Sequence, residues 1–279
     1  MLVMDNRIRE LAKLLVNYSI ALKPKEKVLI EATGTRSFPL VEALIGECYA
    51  VGGIPFYLLH DSLVERAMLQ DASECQFNRE AAYQFARMKD MQCYVGVDGS
   101  DNVLELSGIP DKKLKIVSST VFKKVHDFRV RKTRWVVCEV PGSAFAQAAK
   151  MSTHDFEDFF FNACLAVDYP AMSKAMNPLV KLLNKTKAVR VCGQGTDLNF
   201  FIAGIPADKC AGQYNMPDGE VFTAPVKNSV TGTFFLQYSY YLRRQFFRWC
   251  HFTICKGQSC RSSLRYRRLQ DVNEHFKSG

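Results

Sequence analysis

The sequence lacks long apolar runs and an export signal. No window of 18 or more apolar residues occurs in its 279 residues, which argues against a membrane-spanning helix. The first residues, MLVMDNRIRELAK, show no signal-peptide pattern. We therefore expect a cytoplasmic protein without a membrane partner. In that compartment the ten cysteines are not expected to form a disulfide framework.

Three familiar short motifs are absent or incomplete. The chain has no CxxC pair. Gly193 and Gly195 follow a strand-like run, but the third glycine of a dinucleotide fingerprint is missing and β-like sequence follows. Gly34 in EATGTRS lies in a predicted strand-to-helix turn without the Gly-Lys-Ser/Thr of a P-loop. These absences argue against nucleotide binding at either glycine turn.

The excess of positive charge lies at the C-terminal end. The formal net charge is +9, and residues 231–279 carry nine Lys/Arg against Asp271 and Glu274. The rest of the chain is nearly neutral. Arginines mixed with aromatic residues, as in YLRRQFFRWCHF, are typical of nucleic-acid-binding segments. The stretch has no period of 2 or 3.6, however, so it is a poor candidate for a folded element and nucleic acid is not the expected partner.

Most of the first seven cysteines occur in apolar runs. Cys138 in WVVCEV and Cys192 in VRVCGQG are examples. Small buried thiols have this context. His60, His126 and His154 occur singly, and we interpret them as surface or capping residues.

Strands and helices alternate over the first half of the chain. Helical periods separate apolar runs that are predicted strands: EKVLIEAT, IPFYLLHD, MQCYVGVDG and TRWVVCEVP. KLKIVSSTV is a further strand candidate, and a basic helix or loop follows it. Strands that alternate with helices of about 10–15 residues predict an α/β fold with a mainly parallel sheet.

The pattern changes near residue 188. The preceding 40 or so residues are mostly helical, with Ser152 or Thr153 as a helix N-cap. KAVRVCGQGTDLNFFIAG then predicts two strands joined by a glycine turn. We predict an N-terminal α/β domain at residues 1–187, a β-rich part at 188–233 and a basic tail at 234–279.

The stretch NMPDGEVFTAPV places a single carboxylate, Glu220, after a Pro-Asp-Gly turn and before a β-prone run. A turn and a strand hold a side chain on a stiff support, which suits a metal ligand or a catalytic base. Surface carboxylates at strand ends are also common. Spacing alone therefore favours an ordinary solvated residue.

Three stretches together resemble one family. RWVVCEVPGSAFAQAAKMSTHDFEDFFFNAC, GQGTDLNFFIAG and NMPDGEVFTAP are similar, in this order, to the aminopeptidase T, aminopeptidase S and PepS family of metal-dependent exopeptidases, a thermophilic metalloprotease family. The resemblance covers residues 1–232. It implies an α/β domain followed by a catalytic domain with two divalent ions, of zinc, cobalt or manganese.

The family resemblance also implies a function and a site residue. Members are typically homodimers that remove N-terminal residues from peptides. The Glu of the GEVFTAP motif is a metal ligand in the family, and that residue is Glu220 here. The 188–233 part would then be the beginning of the catalytic domain, and no catalytic residue beyond this ligand is assigned.

The family's other metal ligands lie beyond the GEVFTAP motif. His251 and His275 are not in matching motifs, so the resemblance predicts a half site in this chain. A frameshift close to Gly232 would explain the basic tail, because a shifted reading permits family-like sequence. We therefore expect a truncated or frameshifted aminopeptidase with little or no activity. Alternatives are a non-catalytic binding or dimerisation protein and a nucleic-acid-binding tail.

Overall fold

The computed structural model describes residues 5–236, 240–242, 245–256 and 258–267. The chain divides into two compact units. Unit 1 comprises Met1–Met172 and Cys210–Gly219, and unit 2 comprises Ser173–Lys209 and Glu220–Gly279. The three-part division with boundaries after residues 187 and 233 stays a prediction. None of the helices in the described ranges is long and apolar enough to cross a membrane.

The α-helices of the described residues are numbered in chain order. They are α1 (Asn6–Leu14), α2 (Phe38–Ala50), α3 (Ser62–Asp71), α4 (Glu74–Lys89), α5 (Asp111–Val117), α6 (Lys123–Lys132), α7 (Ser143–Ala148), α8 (Thr153–Leu165), α9 (Tyr169–Ala175) and α10 (Asn177–Lys185). Short π-helical turns follow α1 and α5, at Leu15–Ser19 and Ser118–Phe122.

The strands of the described residues are numbered in the same way. They are β1 (Lys27–Thr33), β2 (Ile54–His60), β3 (Cys93–Asp98), β4 (Arg134–Glu139), β5 (Ala188–Gly193), β6 (Thr196–Phe201), β7 (Asp208–Cys210), β8 (Asn215–Met216), β9 (Glu220–Phe222), β10 (Thr231–Leu236), β11 (Tyr240–Leu242), β12 (Gln245–Cys255) and β13 (Gln258–Arg267).

Unit 1 is built on a parallel sheet of five described strands in the order β2-β1-β3-β4-β8. The four long strands are the predicted apolar runs, and helices connect them, which confirms the α/β fold with a mainly parallel sheet. The fifth strand was not predicted. It is the beginning of the NMPDGE stretch, where Asn215 and Met216 pair with Val137 and Cys138 of β4.

The main core of unit 1 lies on one face of this sheet. Val28 and Ile30 of β1 and Val95 of β3 are fully buried there against α1, α2 and α8. Alternation along a strand directs the intervening residues to the opposite face. On that opposite face a smaller cluster forms around Leu29 and Tyr94, with Met88 of α4 and Val125 of α6. Beyond this cluster the face carries polar side chains.

One predicted strand is wrong. KLKIVSSTV, at 113–121, forms α5 and the π-helical turn after it. Leu114, Val117 and Val121 follow a helical spacing and pack against Leu69 and Phe77. The β-branched residues favour a strand locally, but burial of one apolar stripe against α3 and α4 outweighs that preference. Of the two predicted N-cap residues, Ser152 is the cap, and its hydroxyl accepts a hydrogen bond from the Asp155 N–H.

Unit 2 contains an antiparallel sheet. β5 and β6 form the predicted hairpin, and β10 pairs with β6 in turn. β12 pairs with β10, β11 and β13, so part of the predicted basic tail forms strands in this sheet. Because the tail sequence has no strand period, this pairing was not predicted. The predicted frameshift itself stays a prediction.

The structure shows no disulfide among the cysteines of the described residues. Cys48, Cys93, Cys138 and Cys164 are buried in unit 1, as their apolar context predicted. Cys192 contradicts the expectation, because it is exposed. It lies on β5, an edge strand whose side chains are mostly exposed, so an apolar sequence context did not produce burial.

Candidate functional site

The turn that precedes Glu220 is held by the side-chain carboxylate of Asp218. Asp218 accepts hydrogen bonds from the N–H groups of Gly212 and Gly219, both at 2.9 Å. Glu220 is then the first residue of β9, which pairs with β7 in a two-stranded sheet. The strand predicted after this turn therefore forms. The Glu220 side chain is exposed, which leaves its oxygens accessible to an ion.

The described residues do not assemble a complete metal site. Within the described ranges, no group of three or more His, Cys, Asp or Glu side chains is placed to hold an ion. A carboxylate oxygen is a suitable ligand for zinc, cobalt or manganese, but a protein site for these ions needs three or four ligands. Glu220 therefore fits as one ligand, and the described set does not fit a complete centre.

A cleft of about 750 Å³ opens on the polar face of the sheet in unit 1. Thr33, His60, Asp98 and Glu139 line it, and each is the last residue of its strand. The carboxyl ends of parallel strands are the usual ligand-binding edge of open α/β sheets. The cleft is therefore a second candidate functional site, independent of Glu220.

Glu31 is the centre of a hydrogen-bond network on the floor of the cleft. Its Oε1 lies 2.8 Å from His60 Nε2, and its Oε2 accepts a 2.8 Å hydrogen bond from the Tyr94 hydroxyl. Burial would raise the pKa of the Glu31 carboxyl, but the hydrogen bonds from His60 and Tyr94 together lower it. The hydrogen bond to Glu31 raises the pKa of His60. The pair thus favours a carboxylate with an imidazolium.

Gly96 makes this arrangement possible. It lies on β3 between Tyr94 and Asp98, on the same face of the sheet. A Cβ atom at Gly96 would lie 3.1 Å from the Tyr94 hydroxyl oxygen, tighter than an ordinary contact. Because the position has no side chain, the Tyr94 ring can extend across it to Glu31. A glycine within a strand often marks such a close approach.

Arg129 of α6 places a cation in the wall of the cleft. Its Cζ lies 4.4 Å from the centre of the Tyr94 ring and 5.6 Å from that of Trp135. Its Nε is buried and has no hydrogen-bond partner among the described residues. The indole Nε1 of the neighbouring Trp135 is also buried without a partner in the described part of the chain. Two adjacent donors therefore lack an acceptor, which is costly in a protein interior.

Two carboxylates stand at the mouth of the cleft. Asp98 and Glu139 are direct neighbours in the register of β3 and β4, and both are exposed. Asp98 accepts hydrogen bonds from the Ser100 N–H and hydroxyl. Partial burial and the negative charge of Asp98 raise the pKa of the Glu139 carboxyl. The mouth therefore attracts a positive charge.

Apolar side chains form the rest of the wall. Phe156, Phe159 and Phe160 of α8 lie on one side. On the other side, Phe122 stacks on His126 with ring centres 4.7 Å apart. Phe159 is 60% exposed, which leaves its ring available to a ligand.

The sequence patterns do not indicate this cleft. They predict a surface or capping role for His60, whereas His60 binds Glu31, and they predict no role for Arg129. One signal was present in the sequence: Glu31 interrupts the apolar strand KVLIEAT. Its hydrogen-bond partners are 29 and 63 residues away in the chain, so only the parallel pairing of β1, β2 and β3 identifies them.

The sequence profile of the thermophilic metalloprotease family matches residues 4–261. The chain belongs to the thermophilic metalloprotease family. This confirms the family that the three motifs indicated and, at family level, the predicted function: a metal-dependent aminopeptidase, a hydrolase of peptide bonds. The match extends to residue 261 and so includes much of the predicted tail. Nothing in the comparisons favours the alternative of a non-catalytic binding protein.

Solved structures agree with this thermophilic metalloprotease assignment at the level of the fold. Wild-type AmpT from Thermus thermophilus matches with a TM-score of 0.76 and 20% identity, over 97% of this chain and 74% of that one. The 2,5-dihydroxypyridine dioxygenase from Pseudomonas putida matches with a TM-score of 0.51 and 12% identity, over 96% of this chain and 70% of that one. A search of curated protein sequences gave no match.

Proposed function

We propose that Glu220 is a metal ligand in the active centre of a metal-dependent aminopeptidase. The observation that carries this proposal is the position of Glu220 in the motif of its family, at the first residue of β9 after a turn fixed by Asp218. Peptides are the substrates. The family resemblance further supports two divalent ions (zinc, cobalt or manganese), a homodimer and a cytoplasmic location.

The chemistry of the centre defines what Glu220 has to do. When bound, a divalent ion supplies an activated water and polarises the scissile carbonyl. Glu220 would hold and orient such an ion, because its strand and turn restrict where the carboxylate points. Within the described residues no group of three or more ligating side chains forms around Glu220, so the other ligands are not assigned.

A metal titration tests the role of Glu220. After EDTA treatment and dialysis, zinc, cobalt or manganese is titrated into the wild type and into Glu220→Gln by calorimetry. We expect the substitution to weaken binding by about 10-fold or more, because it removes a direct ligand. Glu42→Gln, an exposed position on α2, is the matched control and should bind as the wild type does. Equal affinities of wild type and Glu220→Gln would exclude the proposed role.

The low peptidase activity predicted from the sequence stays a prediction. An aminopeptidase assay tests it separately. The purified 279-residue chain is incubated with an aminoacyl-anilide and each of the three metals. We expect release of the aniline at close to the background rate, since one carboxylate does not make a two-ion centre. Cleavage that EDTA abolishes and Glu220→Gln reduces would show that the chain is an active enzyme.

A further inference from the structure

We propose that the cleft in unit 1 binds a short zwitterionic peptide of dipeptide size, with its carboxylate at Arg129 and its ammonium group at Glu139. The proposal rests on the geometry of unit 1 alone. It does not depend on Glu220 or on a metal ion, and it adds a binding function that the family assignment does not include.

The inner end of the cleft, where Arg129 lies, favours binding of an anion. Glu31 is close enough to interact electrostatically with Arg129, but its hydrogen bonds are to His60 and Tyr94 and not to Arg129. No carboxylate among the described residues lies within ion-pair distance of the Arg129 guanidinium, whose Nε is buried and unpartnered. A ligand carboxylate would satisfy this donor, and guanidinium–carboxylate pairs are among the stronger hydrogen-bonded pairs.

The mouth of the cleft, its outer end, favours binding of a cation. Glu139 and Asp98 place two negative charges side by side at the ends of β4 and β3. Asp98 already receives two hydrogen bonds from Ser100, whereas the Glu139 side chain receives none from the described residues. An ammonium group would relieve the repulsion between the two carboxylates and hydrogen-bond to Glu139.

The spacing of the two ends along β3 accommodates a dipeptide. The Tyr94 ring, on which Arg129 stacks, extends from Tyr94 across Gly96 towards Asp98. Two to four residues of extended strand correspond to about 7–13 Å. The charged ends of a dipeptide lie about 7 Å apart, and charge-assisted hydrogen bonds add about 2.8 Å at each end, so a ligand of this size can contact both ends.

The walls of the cleft select apolar side chains. Phe156, Phe159 and Phe160 lie along one side, and the stacked pair of Phe122 and His126 lies on the other. The volume of about 750 Å³ is within the range of small-ligand sites and accommodates two large side chains. A dipeptide such as leucyl-phenylalanine combines the two charges with the apolar surface that these walls complement.

Calorimetry with three related ligands tests the proposal. The full chain is titrated in EDTA, which prevents metal-dependent cleavage, with leucyl-phenylalanine, its N-acetyl derivative and its C-terminal amide. We expect the free dipeptide to bind, and each blocked derivative to bind about 10-fold more weakly, since each loses one charged hydrogen bond. No binding of the free dipeptide at millimolar concentration, or equal binding of all three, would overturn the proposal.

Two substitutions test which charged end of the ligand binds at Arg129 and which binds at Glu139. Arg129→Gln should abolish the preference for a free carboxylate and keep the preference for a free amine, and Glu139→Gln should do the reverse. Arg131→Gln, an exposed arginine on the same helix, and Glu42→Gln are the controls, and both should keep both preferences. Unchanged preferences in Arg129→Gln and Glu139→Gln would contradict the assignment.

A third variant separates binding from folding. Arg129 packs on two aromatic rings, so Arg129→Gln is checked by thermal unfolding without ligand. Arg129→Lys keeps the positive charge but not the planar fork. It should retain a reduced preference for the free carboxylate. A folded Arg129→Lys protein that binds the dipeptide and its amide equally would show that the cleft does not recognise the carboxylate through this position.

Discussion

Glu31 lies within the apolar strand β1, where its neighbours Ile30 and Ala32 are buried in the main core. Alternation directs Glu31 to the opposite face, and hydrogen bonds from His60 and Tyr94 satisfy both of its oxygens there. A partly buried carboxylate without such partners would destabilise the fold by a few kcal/mol. The network therefore makes a charged group compatible with the centre of the sheet.

The Glu31–His60 pair makes part of the stability dependent on pH. The pKa of His60 is raised in the folded state by its hydrogen bond to Glu31, so protonation favours folding. This contribution is fully present below the unfolded pKa of about 6.5 and is lost as the pH rises through the higher folded pKa. The pKa of Glu31 is lowered, so its contribution is lost as the pH falls through that folded value.

We expect His60→Gln to be less stable than the wild type by about 1 kcal/mol near pH 6, a modest figure because the pair is partly exposed. Urea unfolding from pH 5 to pH 9 should show this difference shrinking above the folded pKa of His60. His154→Gln, at a site 83% exposed, serves as the control and should give a small difference. A His60→Gln difference that grows with pH would contradict the proposed protonation of the pair.

At the scale of elements, the turn after β1 shapes the edge of the sheet at the carboxyl ends of the strands. Gly34 has φ 74° and ψ 154°, a conformation that only glycine adopts readily. A Cβ atom there would collide with the backbone carbonyl of Gly99, in the loop that follows β3. The two loops therefore approach each other more closely than side chains would permit, at the edge where the cleft opens.

We expect Gly34→Ala to destabilise the protein by about 2–4 kcal/mol, from backbone strain and the collision with Gly99. Gly46→Ala is the matched substitution, because Gly46 lies within α2 and a Cβ atom there would meet nothing within 4 Å. It should stabilise the protein by about 0.5–1 kcal/mol. Equilibrium urea unfolding measures both changes. A Gly34→Ala protein as stable as Gly46→Ala would show that the loops do not approach so closely.

At the scale of the whole molecule, the reactivity of the cysteine thiols indicates whether each unit is folded. Within residues 1–172 of unit 1, Cys75 is exposed, and four cysteines are buried: Cys48, Cys93, Cys138 and Cys164. Burial raises the pKa of Cys48 and Cys164 to about 12 and that of Cys93 to about 11. Thiols with such pKa values are rarely ionised at neutral pH and so react slowly. In unit 2, Cys192 is exposed.

We expect iodoacetamide at pH 8 to modify Cys75 and Cys192 in the native protein and to leave Cys48, Cys138 and Cys164 unmodified. Peptide mapping by mass spectrometry locates the modified sites, and the same treatment in 8 M urea, as a control, should modify all five. The reaction is limited by access and by thiolate formation, both of which the fold restricts. Rapid native modification of Cys138 or Cys164 would contradict the core of unit 1.

Local sequence patterns predict the four long strands of the parallel sheet, an N-cap at Ser152 or Thr153 and the family, because periodicity and short motifs carry these features. The sequence placed Glu220 at the start of a strand, and the metal role of Glu220 stays a proposal. Residues 113–121 were mispredicted because their β-branched residues favour a strand until α3 and α4 bury one helical stripe.

The position of the cleft follows from tertiary contacts. Glu31, His60, Tyr94 and Arg129 come from three strands and a helix, and nothing in their local sequence relates one to another. Parallel pairing brings the strands into one register and alternation directs these side chains to one face. The same holds for the addition of Asn215 and Met216 to the sheet. Such contacts are set by long-range packing, which a local pattern does not encode.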